Sequence, residues 1–555
     1  MRARNVRFVL ALLGAAVLVG ACSPADPPPE PAGPAVRTVV QEPTSHTLLL
    51  DVSDPAELAL TASQQIFSRS PVVVLAAPAQ GPGAQHVRAA HAAAAEALSA
   101  PALVVGDAVS AHGAAAELDR LGARVAVVVE PEPAPPQAMA SDGAASPAGE
   151  SPGSDPSGTP GGPDGTAAAE EAASAAGATV VRLDVAQPLP GDAPQDGLAA
   201  DDASRLHEQV EAALAGSGEA TPPVDRARLD EVLALTDPRP GQEAAIATLR
   251  AAGAVDEEVP DGDIASSPEA IDRIDSAQAL AVVGVGPSFG DAAEFAWRVA
   301  AAERGDLLPT GDQRLLPGRY VTVGADGDDD PAEVVARAAA TAESYAGLDG
   351  GPVVPTVVVP AGAAGAVPGD DGDWVDEAAV ADLAPLVDAA REAGQYVLLD
   401  VPAGTRPLVE EVEPLADLLA RPGVGVALHP EDRRSDGTTA PQQASVAEVQ
   451  DAIAYIEGVV TNNGLPPAMV VIHQTRPESV VQREQLGTAT ASDAVEVVIA
   501  ADRTGAMTTT GWVWGRVTDD LPDGVHAAWS GPTLVAYQSA DLVPTDPEPL
   551  LVLGS

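Results

Sequence analysis

The chain has 555 residues, 81 of them acidic and 29 basic, for a formal net charge of −52, and every basic residue is an arginine. A surface this negative repels phosphate backbones and anionic headgroups, which excludes nucleic-acid binding and electrostatic adhesion to a membrane. Apolar residues make up 46% and aromatic ones only 3%, so about two to four domains can form, with cores built mainly from alanine and branched aliphatics.

Counterions would screen such a surface in a salty medium, and a GC-rich codon bias accounts for the Ala, Gly, Pro, Asp and Arg content equally well. At the N-terminus, Arg2, Arg4 and Arg7 precede an apolar run over 8–19. The run is too short to span a bilayer and has the length of a secretory-signal core. It ends in Val19-Gly20-Ala21-Cys22. This resembles the lipobox of bacterial lipoproteins, in which small residues admit the signal peptidase and the cysteine thiol takes a diacylglyceryl group. The resemblance implies loss of residues 1–21, lipidation of Cys22, and a protein anchored on the extracytoplasmic face of the cell membrane. Cys22 is the sole cysteine, so no disulfide within the chain is possible.

Residues 22–45 are rich in Pro and Ala and predict an extended linker. From 46 to 317 short apolar runs alternate with alanine-rich stretches of helical period. An apolar signal starts at 48–52, and strands are predicted over 71–76, 102–105, 125–129, 179–183, 231–235 and 280–285. Helices are predicted over 86–98, 111–121, 203–214, 241–252 and 291–302. Such alternation implies parallel sheets covered on both faces. Residues 132–174, a Pro, Gly, Ser and acid-rich stretch without period, predict a disordered insertion.

Within this half, 71–131 resembles a unit of the cell wall binding repeat 2 family. The likeness is carried by Val72-Val73-Val74-Leu75-Ala76, Ala100-Pro101-Ala102-Leu103-Val104-Val105 and Glu117-Leu118-Asp119-Arg120-Leu121-Gly122-Ala123. Glu130-Pro131 stands where family units often carry a glycine pair. A fainter copy runs over 231–290, where Ala247-Thr248-Leu249-Arg250-Ala251-Ala252-Gly253-Ala254 echoes the same turn. The resemblance implies parallel α/β units and attachment to a cell wall polymer or carbohydrate.

From 318 to 555 eight strands are predicted, over 319–323, 353–359, 396–399, 425–428, 469–472, 496–500, 525–529 and 534–537. Helices over 332–345, 374–393, 407–419, 446–462 and 477–486 fill most gaps. Asp330 before Pro331, Asp373 before Trp374, and Gly394 read as helix caps. This is the order and size of a (β/α)8 barrel-like domain. Residues 504–523 are poorly patterned, and the last two strands lie too close for a helix between them.

In such a barrel the C-terminal strand ends carry function. Asp400 ends the third strand, His429 and Glu431 follow the fourth, His473 and Gln474 end the fifth, Asp502 follows the sixth and Trp529 closes the seventh. Acids and imidazoles at one mouth suit a glycosidase or another hydrolase, with Asp400 and Glu431 as acid and nucleophile or base and His473 as auxiliary. His429, Gln474, Asp502 and Trp529 are candidate binding residues. Polar strand ends also serve simply to satisfy the backbone, so a non-catalytic barrel is the first expectation and a wall-associated hydrolase the alternative. The region also resembles an uncharacterised actinobacterial lipoprotein family that joins wall-binding repeats to a barrel-like domain. The likeness rests on Pro352-Val353-Val354-Pro355, Tyr396-Val397-Leu398-Leu399-Asp400, Ala427-Leu428-His429-Pro430-Glu431-Asp432-Arg433, Leu465-Pro466, Ile472-His473-Gln474 and Tyr537-Gln538. Family members often have aspartate at the position of His429 and tryptophan at that of Asp432.

Weaker signals read as structure. Gly284 to Gly290 is a tight turn between strand and helix, and the acids at 326–330 and 370–373 are solvated loops without calcium-loop spacing. Trp374, Trp512, Trp514 and Trp529 fill the core or stack on sugar rings. No His-Glu-x-x-His, paired-cysteine or Gly-x-Ser-x-Gly pattern occurs, and neither a metal nor a cofactor is expected.

Overall fold

A computed structural model describes residues 38–79, 84–131, 163–185, 198–216, 228–264, 267–304, 318–326, 329–346, 352–368, 372–434, 443–486, 493–502, 507–530, 543–544 and 546–554. The signal, Cys22, most of the 22–45 linker, residues 132–162 of the insertion and the strand expected at 534–537 lie outside them.

The described residues begin inside the expected linker. β1 (Val39–Val40) pairs antiparallel with β3 (Phe67–Arg69), and between them lie β2 (Thr47–Leu50) and α1 (Pro55–Ile66). Asp54 caps α1 by accepting from the amides of Ala56 and Glu57, with Pro55 in the first turn. The sequence reading missed this helix, because its buried stripe of Leu58, Ala59, Ala62 and Ile66 is interrupted by polar residues.

The next unit runs β4 (Val72–Ala76), α2 (Ala84–Leu98), β5 (Ala102–Val104), α3 (Ala111–Leu121), β6 (Val125–Pro131), α4 (Pro163–Ala175), β7 (Thr179–Val185) and α5 (Ala200–Gly216). Its strands form a parallel sheet in the order β5-β4-β6-β7. α4 lies in the stretch expected to be disordered. Its buried residues are Ala169, Ala172 and Ala173, a helical stripe too weakly apolar to stand out in an alanine-rich region.

The following segment repeats the plan with β8 (Val232–Thr236), α6 (Glu243–Ala252), β9 (Val255–Glu258), α7 (Pro268–Ala277), β10 (Ala281–Val285) and α8 (Ala292–Ala302). The strand order is β2-β10-β8-β9, again all parallel. Each sheet is therefore a βαβαβ unit with one added strand. That strand is β7 in the first unit, but in the second it is β2, delivered from some 180 residues earlier in the chain. One core spans both sheets, joining Leu50, Leu58, Val73, Leu75, Leu118, Val232, Leu249 and Val283.

The remaining elements are β11 (Arg319–Gly324), α9 (Pro331–Glu343), β12 (Val353–Pro360), β13 (Gly362–Ala364), β14 (Val375–Glu377), α10 (Val380–Glu392), β15 (Tyr396–Val401), α11 (Leu408–Val412), α12 (Ala416–Leu419), β16 (Val424–Leu428), β17 (Ala444–Ser445), α13 (Val446–Asn462), β18 (Ala468–Gln474), β19 (Val480–Val481), β20 (Val495–Ala501), α14 (Met507–Thr518), β21 (His526–Trp529) and β22 (Leu551–Val552). Strands β11, β12, β15, β16, β18, β20, β21 and β22 close a parallel barrel in that order. The eighth position belongs to β22, which pairs with both β21 and β11. Three helix expectations change. Residues 374–377 enter a β-hairpin with β13, where Trp374 has φ 71° and Asp373 accepts from the Val375 amide, so α10 starts only at Val380. Pro414, inside a 3-10 turn over Glu413–Leu415, splits the helix expected at 407–419. Two 3-10 turns flank β19 where a helix was expected at 477–486, with Gln482 at φ 63° breaking any continuous helix. Conversely, α14 lies within the poorly patterned 504–523.

The two-residue alternation of each strand sorts side chains between lumen and helix layer. Tyr320, Tyr396, Leu398, Ala427, Met469, Val471, Val498, Ala500, Ala528 and Leu551 form the interior cluster. Their neighbours Val397, Leu399, Val426, Val470, Val497 and Ala527 pack under the helices. The Tyr396 hydroxyl accepts from the Met469 amide at 2.7 Å. Gly425 makes this possible, since a Cβ there would lie 2.8 Å from that hydroxyl and 2.3 Å from the Met469 carbonyl oxygen.

The halves meet along α8. Its Trp297, 5% exposed, belongs to the barrel's outer core and donates through Nε1 to the Leu465 carbonyl at 2.7 Å. Beside it, Arg298 binds Asp493.

Candidate site at the barrel mouth

Alternation decides which strand-end residues meet. Asp400 near the end of β15, His429 just after β16, His473 in β18, Asp502 just after β20 and Ser530 just after β21 all share the inward parity of the lumen cluster. Glu431 joins them from a 3-10 turn over Pro430–Asp432. His429 is the hub. Its Nε2 lies 2.6 Å from Asp400 Oδ1 and its Nδ1 lies 2.9 Å from Glu431 Oε1. Its ring stacks on that of His473, with centroids 4.2 Å apart and planes 23° apart. His473 Nδ1 is 3.7 Å from Asp502 Oδ2, and the Ser530 hydroxyl donates to Asp502 Oδ1 at 3.2 Å.

Charge within the cluster is unevenly held. Burial works against ionising Asp400, yet the hydrogen bond and charge of His429, with a further contribution from His473, hold its carboxyl below the usual range. Glu431 goes the other way, because burial outweighs the same histidines and raises its pKa. Burial also opposes a proton on His429, but the two flanking carboxylates overcome it and push the imidazole well above its ordinary value. Two buried polar atoms in the cluster have no hydrogen-bond partner, Glu431 Oε2 and His473 Nδ1. One potential ligand atom from each of His429, Glu431, His473 and Asp502 lies within 4.8 Å of all the others, a grouping that no local sequence spacing announces.

Gln474 and Trp529 have the opposite parity and face the helix layer. Gln474 accepts from Arg483, which also reaches the Val517 and Asp520 carbonyls at 2.8 Å, so this pair secures the end of α14. Trp529 packs edge-on against Trp514 at 5.3 Å. Trp374 is buried under Arg434, and Trp512 is 62% exposed.

A second charged cluster occupies the loops after β12 and β15. Arg406 binds Asp373 and Glu377, with Glu411 Oε2 at 3.7 Å. Asp373, expected in a solvated loop, is 2% exposed. Burial, opposed by Arg406 and helped by Asp373 and Glu377, lifts Glu411 to about 7. These four residues come from two segments, 373–377 and 406–411, which nothing in the local pattern joins.

In the N-terminal half a cleft of about 370 Å³ opens beside the ends of β4 and β5, lined by Asp54, Arg88, His91, Asp107 and Glu243 among others. The strand order reverses one position over, between β4 and β6, so the cleft lies beside the switch point at which open α/β sheets bind ligands and not on it. Arg88 is paired with Glu243 at 2.8 Å. His91 donates from Nε2 to the Val74 carbonyl at 3.1 Å, and burial lowers its pKa to about 4, so the ring is neutral.

Among the described residues no helix is long and apolar enough to cross a membrane. No family model matches the chain, and no curated protein matches it. Similar solved structures include Cwp6 from Clostridium difficile, at 13% identity and a TM-score of 0.29, covering 66% of this chain and 67% of that one. ZgEngAGH5_4 in complex with a cellotriose is similar at 12% identity and a TM-score of 0.24, over 42% of this chain and 87% of its own. XEG5A, a GH5 xyloglucan-specific endo-beta-1,4-glucanase from a metagenomic library, is similar at 11% identity and a TM-score of 0.22, over 36% and 73%. At scores this low the fold rests on the strand pairing described above, and no activity passes from these proteins to this chain.

Proposed function

We propose that the chain is a lipid-anchored protein of the cell envelope, held on the extracytoplasmic face by Cys22, that engages wall polymer and hydrolyses it in the barrel mouth. The observation that carries this reading is the convergence of Asp400, His429, Glu431, His473 and Asp502 with two buried polar atoms left without partners. A fold gains nothing from such atoms, since each costs about 1–3 kcal/mol; a bound substrate or water would repay them. Hydrolysis needs an activated water and a proton donor, and a cluster of two imidazoles and three carboxyls with divergent proton affinities contains both kinds of group. A glycosidase working by two carboxyls alone needs open space between them. Here the His429 ring bridges Asp400 and Glu431, which favours water activated within the cluster over direct attack by either acid. The charge of −52 favours a neutral polymer over a polyanionic one.

A second reading, attachment to wall polymer without turnover, is favoured by the cleft beside the ends of β4 and β5. One experiment separates the two: the purified mature protein is incubated with isolated peptidoglycan and with a neutral β-glucan, and bound protein and released soluble fragments are measured. Release that falls at least about 100-fold in Glu431→Gln, with wall binding retained, supports the hydrolase. Binding without release by the wild type supports attachment alone, and absence of both overturns the proposal.

A further inference from the structure

The mouth and the Arg406 cluster both gather carboxylates at the top of the barrel, and the second is built around an arginine. Asp373, Glu377 and Glu411 surround the guanidinium of Arg406, which stays charged at any working pH. In the mouth, Glu431 Oε2 and His473 Nδ1 are buried and without a hydrogen bond. Side-chain exposure is 6% for Glu431 and 10% for His473, so bulk water does not satisfy these atoms.

We propose that the barrel mouth binds one divalent transition-metal ion, Zn²⁺ in the first instance, through His429, Glu431, His473 and Asp502. The inference rests on reading this mouth as the functional site, but it requires no turnover. Two imidazole nitrogens with two carboxylate oxygens form a donor set suited to zinc and its neighbours, whereas calcium sites are built from oxygen alone. Tetrahedral ligands about 2.0–2.2 Å from zinc lie about 3.4 Å from one another. The four ligand atoms already fall within 4.8 Å, so side-chain rotation of about 1 Å closes the set. His429 has its Nε2 committed to Asp400 at 2.6 Å, which turns Nδ1 toward Glu431 and the ion position. Asp400 is then a positioning residue that fixes the tautomer and raises the ligand's basicity. Ser530 plays the matching part for Asp502, holding Oδ1 so that Oδ2 faces His473. The ligands come from separate strand ends, which is why no compact motif in the sequence marks them.

The test titrates chelator-stripped, full-length mature protein with Zn²⁺ by calorimetry and, in parallel, with Co²⁺ followed by its visible absorption. One site per chain is expected, with affinity falling at least about 100-fold in His473→Ala and in Glu431→Gln, and about 10- to 100-fold in Asp400→Asn. Asp432→Asn, which alters a neighbouring acid outside the set, is expected to leave the site intact. Zn²⁺ should raise the thermal midpoint of the wild type and not that of His473→Ala, a readout that also shows whether the variant folds. Binding that is weak and multiple, unaffected by His473→Ala, or without an imidazole-type cobalt spectrum overturns the proposal. Metal binding without polymer hydrolysis would refute the hydrolase and leave the metal site standing.

Discussion

The two halves use buried polarity in different ways. In the N-terminal sheets, most buried polar groups are spent on the fold, although Ser288 Oγ and Asp237 Oδ2 keep no hydrogen bond. Glu117 accepts from the Ser63 hydroxyl at 2.6 Å and from Arg120 Nε at 2.7 Å, Thr248 bridges to the Ala102 amide at 3.0 Å, and His91 is tied to Val74. At the top of the barrel, Glu431, His473 and Glu411 keep buried atoms without hydrogen bonds. The lower lumen is filled by buried side chains, with Tyr320 edge-on to Tyr396 and the Tyr396 hydroxyl bonded to Met469. Isolated unsatisfied atoms also occur in the scaffold, at Gln395 and Trp529 for example, so the mouth is set apart by unsatisfied atoms that belong to converging ionisable groups.

Substitutions should break or sharpen that contrast in a graded way. Gly425→Ala forces a Cβ against the Met469 carbonyl and the Tyr396 hydroxyl, so a loss of about 3 kcal/mol or more is expected in urea unfolding of the barrel. His91 offers a pH test in the other half. Its folded pKa of about 4 lies below the unfolded value near 6.5. Its stabilising contribution is thus complete above about 6.5 and lost as pH falls toward 4, a loss of about 3 kcal/mol. Replacing it with Leu should flatten that part of the profile.

Glu117→Ala removes the partner of Ser63 and Arg120 and should cost about 2 kcal/mol by denaturant titration. Glu411 gives the smaller and opposite pH slope. Its pKa is raised to about 7, so its protonated form fits the fold, and stability falls as pH rises from about 4.5 through 7. With Arg406 partly offsetting the charge, Glu411→Gln should recover on the order of 1 kcal/mol at pH 8 and nothing at pH 4.

Much of the architecture could be read from the residues. Short apolar runs such as Val424–Leu428 and Ala468–Gln474, and the helical period of Val446–Asn462, identified seven barrel strands and one helix nearly to the residue. The eighth strand escaped because β22 is two residues long, too short to stand out as an apolar run. α4 escaped because its stripe is alanine on alanine, and the break at Trp374 because a left-handed residue after a buried Asp373 leaves no periodic trace. For the site, strand-end position pointed to Asp400, His429, His473 and Asp502, whose parity turns them inward. Gln474 and Trp529, one residue out of phase, turn outward instead. Parity along each strand was available in the sequence and would have separated them; the Arg406 cluster, assembled from distant loops, had no such signal.

The account depends on the mouth cluster being held by the fold and contributing little to it. The direct measurement is the urea unfolding free energy of His473→Leu against the wild type at pH 7 in the presence of a chelator, followed by tryptophan fluorescence. A change within about 0.5 kcal/mol, or a gain, is the predicted result. A loss of about 2 kcal/mol or more, comparable to Glu117→Ala, would show that His473 is a structural residue and contradict the reading of the mouth as a site.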